Sequence, residues 1–187
     1  MKHFFSIFIL AILVLNFTSC GNNSKTGTNF TTTSTGVGPI QLGLTAGEIP
    51  ASENGLYDSF TIEVINDDFD GDYTIVHFTL SSTPVANAYI YYEEKIASIE
   101  ILGSNIASEE GISPGTKVQE LFNKGAKAAM RNDGQFTLEI DKIGYHVSGL
   151  NESGDIKLTN GYLTGETPQI TIEDFESDAE VTSFFIF

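Results

Sequence analysis

Alternating hydrophobic and polar positions dominate the middle of the chain. Apolar residues recur at every second position along Phe60–Val64 and again along Val76–Leu80. This period is typical of half-buried β-strands. The pattern therefore predicts a meander of strands between residues 59 and 102, which also includes strands at 88–92 and 95–102. Turns are predicted near residues 67–72, 81–84 and 93–95.

Two segments carry helix-start signals instead. Thr45 with Glu48, and Thr116 with Gln119, have the spacing of a capping box, in which side chains satisfy the first helical amides. Pro50 ends the first helix early, whereas a longer second helix is predicted from an apolar face formed by Val118, Leu121, Phe122 and Ala129. Strands are predicted again at 135–141, 143–148, 155–163, 169–173 and 180–187. The last strand is apolar on both faces, which favours a central position in the sheet.

These elements predict an α+β fold, an antiparallel sheet-rich domain with one clear helix and one short helix on one face. Gly43 and Glu48 match Gly115 and Glu120 in spacing, and several predicted strands follow each pair. A diverged tandem repeat of helix then sheet would explain this match. Independent recurrence of two capping boxes would explain it equally well.

The first residues follow a different pattern. Lys2 and His3 precede an almost purely apolar run, Phe4–Phe17, and two small residues then lead directly to Cys20. The run has the length of a signal-peptide core and is short for a transmembrane helix. Residues 1–19 are therefore predicted to be a lipoprotein signal peptide, with Cys20 the site of lipidation. The alternatives are an ordinary secretory signal followed by an unmodified thiol, or an uncleaved anchor.

Residues 20–35 are rich in Thr, Asn, Ser and Gly and are predicted to be a flexible tether. The α+β domain is then predicted to occupy residues 36–187. Since Cys20 is the one cysteine of the chain, lipidation would leave no thiol for a disulfide or a thiolate metal site. Gly21 is not an Asp-type retention signal, so the predicted location is the cell envelope, in the outer membrane.

The charge balance restricts the partners of the protein. The chain has 25 acidic and 9 Lys or Arg residues, a net charge of −16. Nucleic acid is excluded as a partner because its phosphates require basic residues. Electrostatic docking on anionic lipid is disfavoured for the same reason. The expected partners are the membrane, through the palmitate-type anchor, and a protein of the envelope.

An acidic loop at residues 66–72 is the best candidate for a metal site. Asn66, Asp68 and Asp70 occupy alternate positions before Gly71, and Asp72 follows, as in loops that bind calcium through oxygen ligands. The flanking segments are predicted strands, however, and His77 stands where a helix-loop-helix calcium site carries its bidentate Glu. An acidic hairpin turn is therefore the alternative interpretation. Apart from calcium, no cofactor is expected.

Signatures of catalysis do not emerge from the sequence. His77 and His146 have neither zinc-type spacing nor a cysteine partner. The absence of Trp also argues against a sugar-cleaving cleft. A second acidic run, residues 173–180, is interpreted as a solvated loop. We therefore expect the protein not to be an enzyme.

Several blocks of the sequence resemble the RpoE-regulated lipoprotein family, bacterial envelope domains of unassigned function. The blocks are Gly36–Gly38, Leu56–Tyr57, Lys95–Ile106, Gly111–Phe122 and Ile143–Gly149. The resemblance implies an outer-membrane lipoprotein and transfers no catalytic residue.

The leading hypothesis is thus a membrane-anchored envelope protein that binds a partner or serves envelope maintenance. Tyr89, Tyr91 and Tyr92 are its candidate contact residues, because tyrosine is enriched at interfaces. The alternative hypothesis is a calcium-binding module that uses the acidic loop at residues 66–72.

Overall fold

An antiparallel sheet of eight strands organises the computed structural model, which describes residues 30–66, 71–131 and 135–187. In chain order the strands are β1 (Phe30–Thr31), β2 (Gly36–Val37), β3 (Ile40–Gln41), β4 (Ser59–Ile65), β5 (Tyr73–Leu80), β6 (Thr83–Ile90), β7 (Ile96–Ile101), β8 (Ile106–Ala107), β9 (Lys127–Met130), β10 (Phe136–Ile140), β11 (Ile143–Val147) and β12 (Val181–Ile186). The large sheet has the order β4-β5-β6-β7-β12-β11-β10-β9. Strand β12 is therefore central, as its sequence predicts.

Two α-helices and two short 3₁₀ segments complete the described elements, namely α1 (Val118–Asn123), α2 (Glu152–Thr164), Ala46–Glu48 and Ile172–Asp174. Buried apolar residues of one sheet face and of the connecting segments form one core. Its largest fully buried side chains include Leu56, Tyr57, Phe78, Tyr145 and Phe184. The predicted α+β class is confirmed. No helix in the described ranges has both the length and the hydrophobicity needed to cross a membrane.

The sheet consists of two four-stranded meanders related by an approximate two-fold axis. Strands β4–β7 form the first meander and β9–β12 the second, and the last strand of each pairs with the other at the centre. There Ile99 pairs with Ile186, Ile101 with Phe184, and Glu100 with Phe185. Because Ile99 corresponds to Phe184 and Ile101 to Ile186 in the two meanders, the axis passes through the pair Glu100–Phe185.

Backbone hydrogen bonds repeat across this axis. The amide of Gly43 donates to Ile96 O at 2.9 Å, and the amide of Gly115 donates to Val181 O at 2.8 Å. Ile96 and Val181 are the first residues of β7 and β12, and both strands have the same sequence of buried and exposed positions. Each also has a register irregularity at its first pair with the preceding strand. These correspondences favour the tandem repeat over a chance recurrence of capping boxes.

Residues 30–32 belong to the folded domain. Strand β1 pairs in parallel with β8, so that Phe30 lies beside Ile106. The amide of Thr32 donates to Ala107 O at 2.8 Å, and Thr32 is buried. The predicted tether boundary at residue 35 is therefore too late. The boundary was placed too late because threonine is a polar residue that is nevertheless a good strand former.

The predicted helix after Gly115 is shorter than its apolar pattern indicates. Helix α1 ends at Asn123, and Gly125 then adopts a positive φ of 86°. Lys127–Met130 forms β9 instead of a helical continuation. Thr116 does not complete a capping box, since its hydroxyl accepts from the Ser113 amide.

The first capping box does form. The amide of Thr45 donates to Glu48 Oε2 at 2.8 Å, and the Thr45 hydroxyl donates to the same oxygen. These hydrogen bonds lower the pKa of the Glu48 carboxyl. The helix that they start is the 3₁₀ segment Ala46–Glu48.

The predicted strand at residues 155–163 is wrong, because this segment lies within α2. Asn151 caps the helix by accepting from the Gly154 amide at 3.1 Å. The buried residues of α2 are glycines, Gly154 and Gly161, so the segment has no apolar stripe that would indicate a helix. A Cβ at Gly154 would lie 2.6 Å from Asp174 O, which shows how closely the helix packs.

An ion pair between the half-exposed Lys157 and the buried Asp174 fixes α2 to the following 3₁₀ segment. This segment replaces the predicted strand at 169–173. Lys157 Nζ contacts both carboxylate oxygens of Asp174, at 2.8 and 2.7 Å. The Ser153 hydroxyl and the Thr171 amide also donate to this carboxylate. Burial opposes the charge of Asp174, but these hydrogen bonds and the neighbouring ammonium outweigh it and lower its pKa.

Candidate functional site

The sheet face opposite the core carries a continuous row of interacting side chains. Successive residues of a strand point to opposite faces. Because Val76, Ala88, Ile99 and Phe184 belong to the core, their neighbours in sequence lie on the other side. We define this side as the open face by the residues Glu63, His77, Asn87, Tyr89, Glu100 and Phe185.

Hydrogen bonds connect the polar members of the open face across four adjacent strands. Glu63 Oε2 lies 3.0 Å from His77 Nε2, and His77 Nδ1 lies 2.9 Å from Asn87 Oδ1. Asn87 Nδ2 then donates to Glu100 Oε2 at 3.0 Å, and the Tyr89 hydroxyl donates to the same oxygen at 2.9 Å. Both ring nitrogens of His77 thus lie within hydrogen-bond distance of side-chain oxygens on the two neighbouring strands.

Aromatic side chains continue the row beyond Glu100. The ring of Phe185 lies 6.0 Å from that of Tyr89 and 5.3 Å from that of His146, between centroids. Phe187 stacks on Phe185 at 5.6 Å with an interplanar angle of 13°. The guanidinium of Arg131 lies 4.5 Å above the centroid of Phe187, a cation–π contact.

A cavity of about 210 Å³ opens beside these rings. Its lining combines aromatic, hydroxyl, amide and guanidinium groups, contributed by Tyr89, Tyr91, Ser98, Arg131, Gln135, Phe185 and Phe187. Such a mixture of flat apolar surface with a few polar groups is typical of ligand and protein contact sites. The cavity is small, so it suits one side chain or one ring of a larger partner.

The hydroxyl of Tyr89 is held as a hydrogen-bond donor. Burial raises the pKa of this phenol, and the neighbouring Glu100 carboxylate raises it further. The phenol therefore stays protonated well above neutral pH and continues to donate to Glu100. This leaves Glu100 with two donors on one oxygen, which fixes the carboxylate in place.

The three tyrosines predicted as contact residues, Tyr89, Tyr91 and Tyr92, differ in their position on the sheet and in their exposure. Tyr89 is an integral part of the open face, whereas Tyr91 lies at its end, with its ring 5.7 Å from that of Tyr73. Tyr92 is the most exposed of the three, at 78%. Tyr89 and Tyr91 line the same cavity, so the structure brings these two together.

The calcium loop lies mostly outside the described residues, which include Asn66 and Asp72 but not Asp68 or Asp70. Asp72 lines a separate cavity of about 350 Å³ with Tyr73, Tyr91 and Glu94. Within the described ranges, no group of three His, Cys, Asp or Glu side chains is placed to hold a metal ion. The calcium site stays a prediction, as does lipidation at Cys20, which also lies outside these ranges.

Sequence reasoning missed Glu63, Asn87, Glu100 and Phe185 of the open face, and also Arg131 in the cavity beside it. The alternation of the predicted strands contains the signal, because each polar residue between two core residues must lie on the face opposite the core. The alternation does not, however, give the register of neighbouring strands. The register places Asn87 between His77 and Glu100.

Comparison with solved structures shows a shared fold. The chain is similar to the uncharacterized protein YfeY from Escherichia coli, with a TM-score of 0.55 and 17% sequence identity. The similarity covers 85% of this chain and 99% of the YfeY chain. At this identity the likeness concerns the fold alone. No protein-family model matches the sequence, and no curated protein matches it either.

Proposed function

We propose that this protein is a lipid-anchored lipoprotein of the bacterial envelope whose open face binds a partner without catalysing a reaction. The observation that carries the binding proposal is the row of mutually bonded side chains across the sheet. Its polar groups bond one another and hold their geometry before a partner arrives. Preorganised groups lose little conformational entropy on association, which favours binding.

The composition of the open face and of the cavity beside it supports contact with a partner. Tyr89, Tyr91, Phe185 and Phe187 supply aromatic surface, and Arg131 supplies a cation in a strongly acidic chain. Aromatic residues and arginine are enriched in interfaces, whereas lysine and acidic residues are depleted there. A partner with an aromatic or apolar group and an acidic group would match the cavity beside Arg131.

The location proposed for this protein rests on its N-terminal sequence and on family resemblance. The signal-like residues 1–19 and Cys20 support export and acylation. The sequence blocks that resemble the RpoE-regulated lipoprotein family support the same placement. We infer the outer membrane from the residue after Cys20.

The anchor predicts a complete change of location when Cys20 is replaced. In the Cys20→Ser variant, no thiol remains for acylation, so the protein should leave the membrane fraction and incorporate no labelled palmitate. The matched control Asn23→Ser changes a nearby polar residue and should behave as wild type. A Cys20→Ser protein that still fractionates with membranes would contradict the anchor.

The binding face predicts position-specific crosslinking in intact envelopes. A photoreactive phenylalanine analogue at Tyr91, which is 43% exposed, should yield a discrete adduct. The same analogue at Tyr162, which is 69% exposed on α2, should yield none. Truncation by Phe185→Ala should reduce the Tyr91 adduct roughly tenfold or more, since central aromatic residues dominate interface energies.

A correctly folded Phe185→Ala protein is confirmed by its far-UV circular dichroism spectrum. Equal adduct yields from Tyr91 and Tyr162, or an adduct unaffected by Phe185→Ala, would contradict a specific open face. The crosslinking result is independent of the palmitate result, so the two parts of the proposal can fail separately.

A further inference from the structure

We propose that β4 is a self-association edge, where two copies of this protein pair their β4 strands antiparallel about a two-fold axis at Ile62. The large sheet would then continue from one copy into the next. This surface is the edge of the sheet and is separate from the open face. The inference goes beyond the proposed function and does not depend on it.

The two edge strands of the sheet differ in how well they are protected against pairing with another chain. Strand β9 ends one side of the sheet, has four residues and begins with Lys127. Short edge strands with lysine discourage pairing with another chain. Strand β4 ends the other side with seven residues, and it contains neither lysine nor proline. Its outward amides and carbonyls therefore offer a full-length template for another strand.

Apolar side chains of β4 remain exposed on the core side of the sheet. Ile62 is 54% exposed and Val64 is 61% exposed, although Val76, which pairs with Ile62, is fully buried. On the core side of the sheet, burial therefore stops at Val76 in β5, and the edge strand β4 is left exposed. A second β4 strand beside the first would cover Ile62 and Val64 with the same residues of its partner.

The length of β4 selects one register for this pairing. With the axis at Ile62, Ser59 pairs with Ile65 of the second copy, and all seven residues have partners. Ile62 then lies opposite Ile62 of the second copy, and Phe60 lies opposite its Val64. The apolar side chains of both copies thus adjoin on one face of the sheet. On the other face Thr61 lies opposite Glu63, and no two like charges are opposed.

The neighbouring registers are less favourable. An axis at Glu63 would place the two Glu63 carboxylates directly opposite each other, which is destabilising. An axis at Thr61 would leave Val64 and Ile65 without partners in β4. The remaining obstacle is the net charge of −16 on each copy, so association should strengthen as salt screens the repulsion.

Disulfide crosslinking through an introduced cysteine, in intact cells and on the full-length chain, tests the register. Directly opposed residues of antiparallel strands have Cβ atoms about 4.5–5.5 Å apart, close to disulfide range. Ile62→Cys should therefore form a disulfide-linked dimer under mild oxidation. Val64→Cys changes an equally exposed residue of the same face, but its two copies would lie about 13 Å apart.

We expect the Ile62→Cys dimer band on a non-reducing gel to exceed the Val64→Cys band by about tenfold, with wild type as the control for Cys20. Equal bands, no Ile62→Cys band, or a crosslink to a protein of different mass would overturn the proposal. As an independent measurement, Ile62→Lys should abolish the dimer in sedimentation experiments on the detergent-solubilised protein while its far-UV circular dichroism spectrum stays that of wild type. A wild-type protein that sediments as a monomer at all concentrations and salt levels would also overturn it.

Discussion

Replacing Asp174 with alanine is expected to lower the free energy of unfolding by about 2–4 kcal/mol, because a buried carboxylate with several donors is lost. The carboxylate side chain is 3% exposed, and its removal leaves Lys157 of α2 without its counter-charge. The Ser153 hydroxyl and the Thr171 amide lose their acceptor in the same substitution. Helix α2 would then be released from the 3₁₀ segment. Urea denaturation followed by circular dichroism measures the loss.

The matched control is Asp178→Ala, which removes an exposed carboxylate four residues further along the chain. Surface substitutions of this kind usually change stability by no more than about 0.5 kcal/mol. Equal losses of stability in the two variants would mean that the contacts of Asp174 with α2 and with the Thr171 amide do not stabilise the fold.

The same carboxylate gives the wild-type protein a defined dependence on pH. The pKa of Asp174 is lowered in the folded state, so its stabilisation is fully present above the pKa of the unfolded chain, about 3.9. It is lost as the pH falls through the folded pKa, where the carboxylate becomes protonated. The stability difference between wild type and Asp174→Asn should therefore shrink below about pH 4.

The second large effect is expected from Phe184→Ala, which should cost about 3–5 kcal/mol. Phe184 is fully buried, lies in the central strand β12 and contacts the Tyr145 ring at 5.6 Å between centroids. Its strand joins the two meanders, so the cavity would open where the halves meet. The control Thr182→Ala changes an exposed residue of the same strand and should have a small effect.

Denaturation of Phe184→Ala should stay a single transition, because the buried residues of both meanders form one core. Coincident curves from circular dichroism and tyrosine fluorescence would verify this. Two separated transitions would instead mean that the meanders unfold independently, which would contradict the shared core.

Strands in which apolar and polar residues alternate could be predicted from the sequence, and elements without an apolar pattern could not. The alternation at Phe60–Val64 and Val76–Leu80 correctly indicated β4 and β5. Helix α2 was missed because glycines, not apolar residues, form its buried side. Strand β9 was missed because Ala128 and Ala129 are also good helix formers, and the turn at Gly125 decided between the two.

The open face depends on contacts between residues that are distant in sequence. His77 and Asn87 are 10 residues apart, and Asn87 and Glu100 are 13 apart. Their contacts follow from strand register, which the alternation of apolar residues does not specify by itself. Phe185 lies beside Glu100 because β12 inserts next to β7, a choice of topology that local pattern leaves open.

The approximate two-fold axis has a consequence for how such a surface can diversify. In a symmetric pair of identical chains, the residue on the axis would face its own copy, and any acidic residue there would oppose another acid. Joining both meanders in one polypeptide removes that constraint. Glu100 and Phe185 occupy equivalent places in the two meanders, yet one anchors hydrogen bonds and the other anchors ring contacts. Covalent linkage thus lets a repeated scaffold present two chemically different halves on one continuous surface.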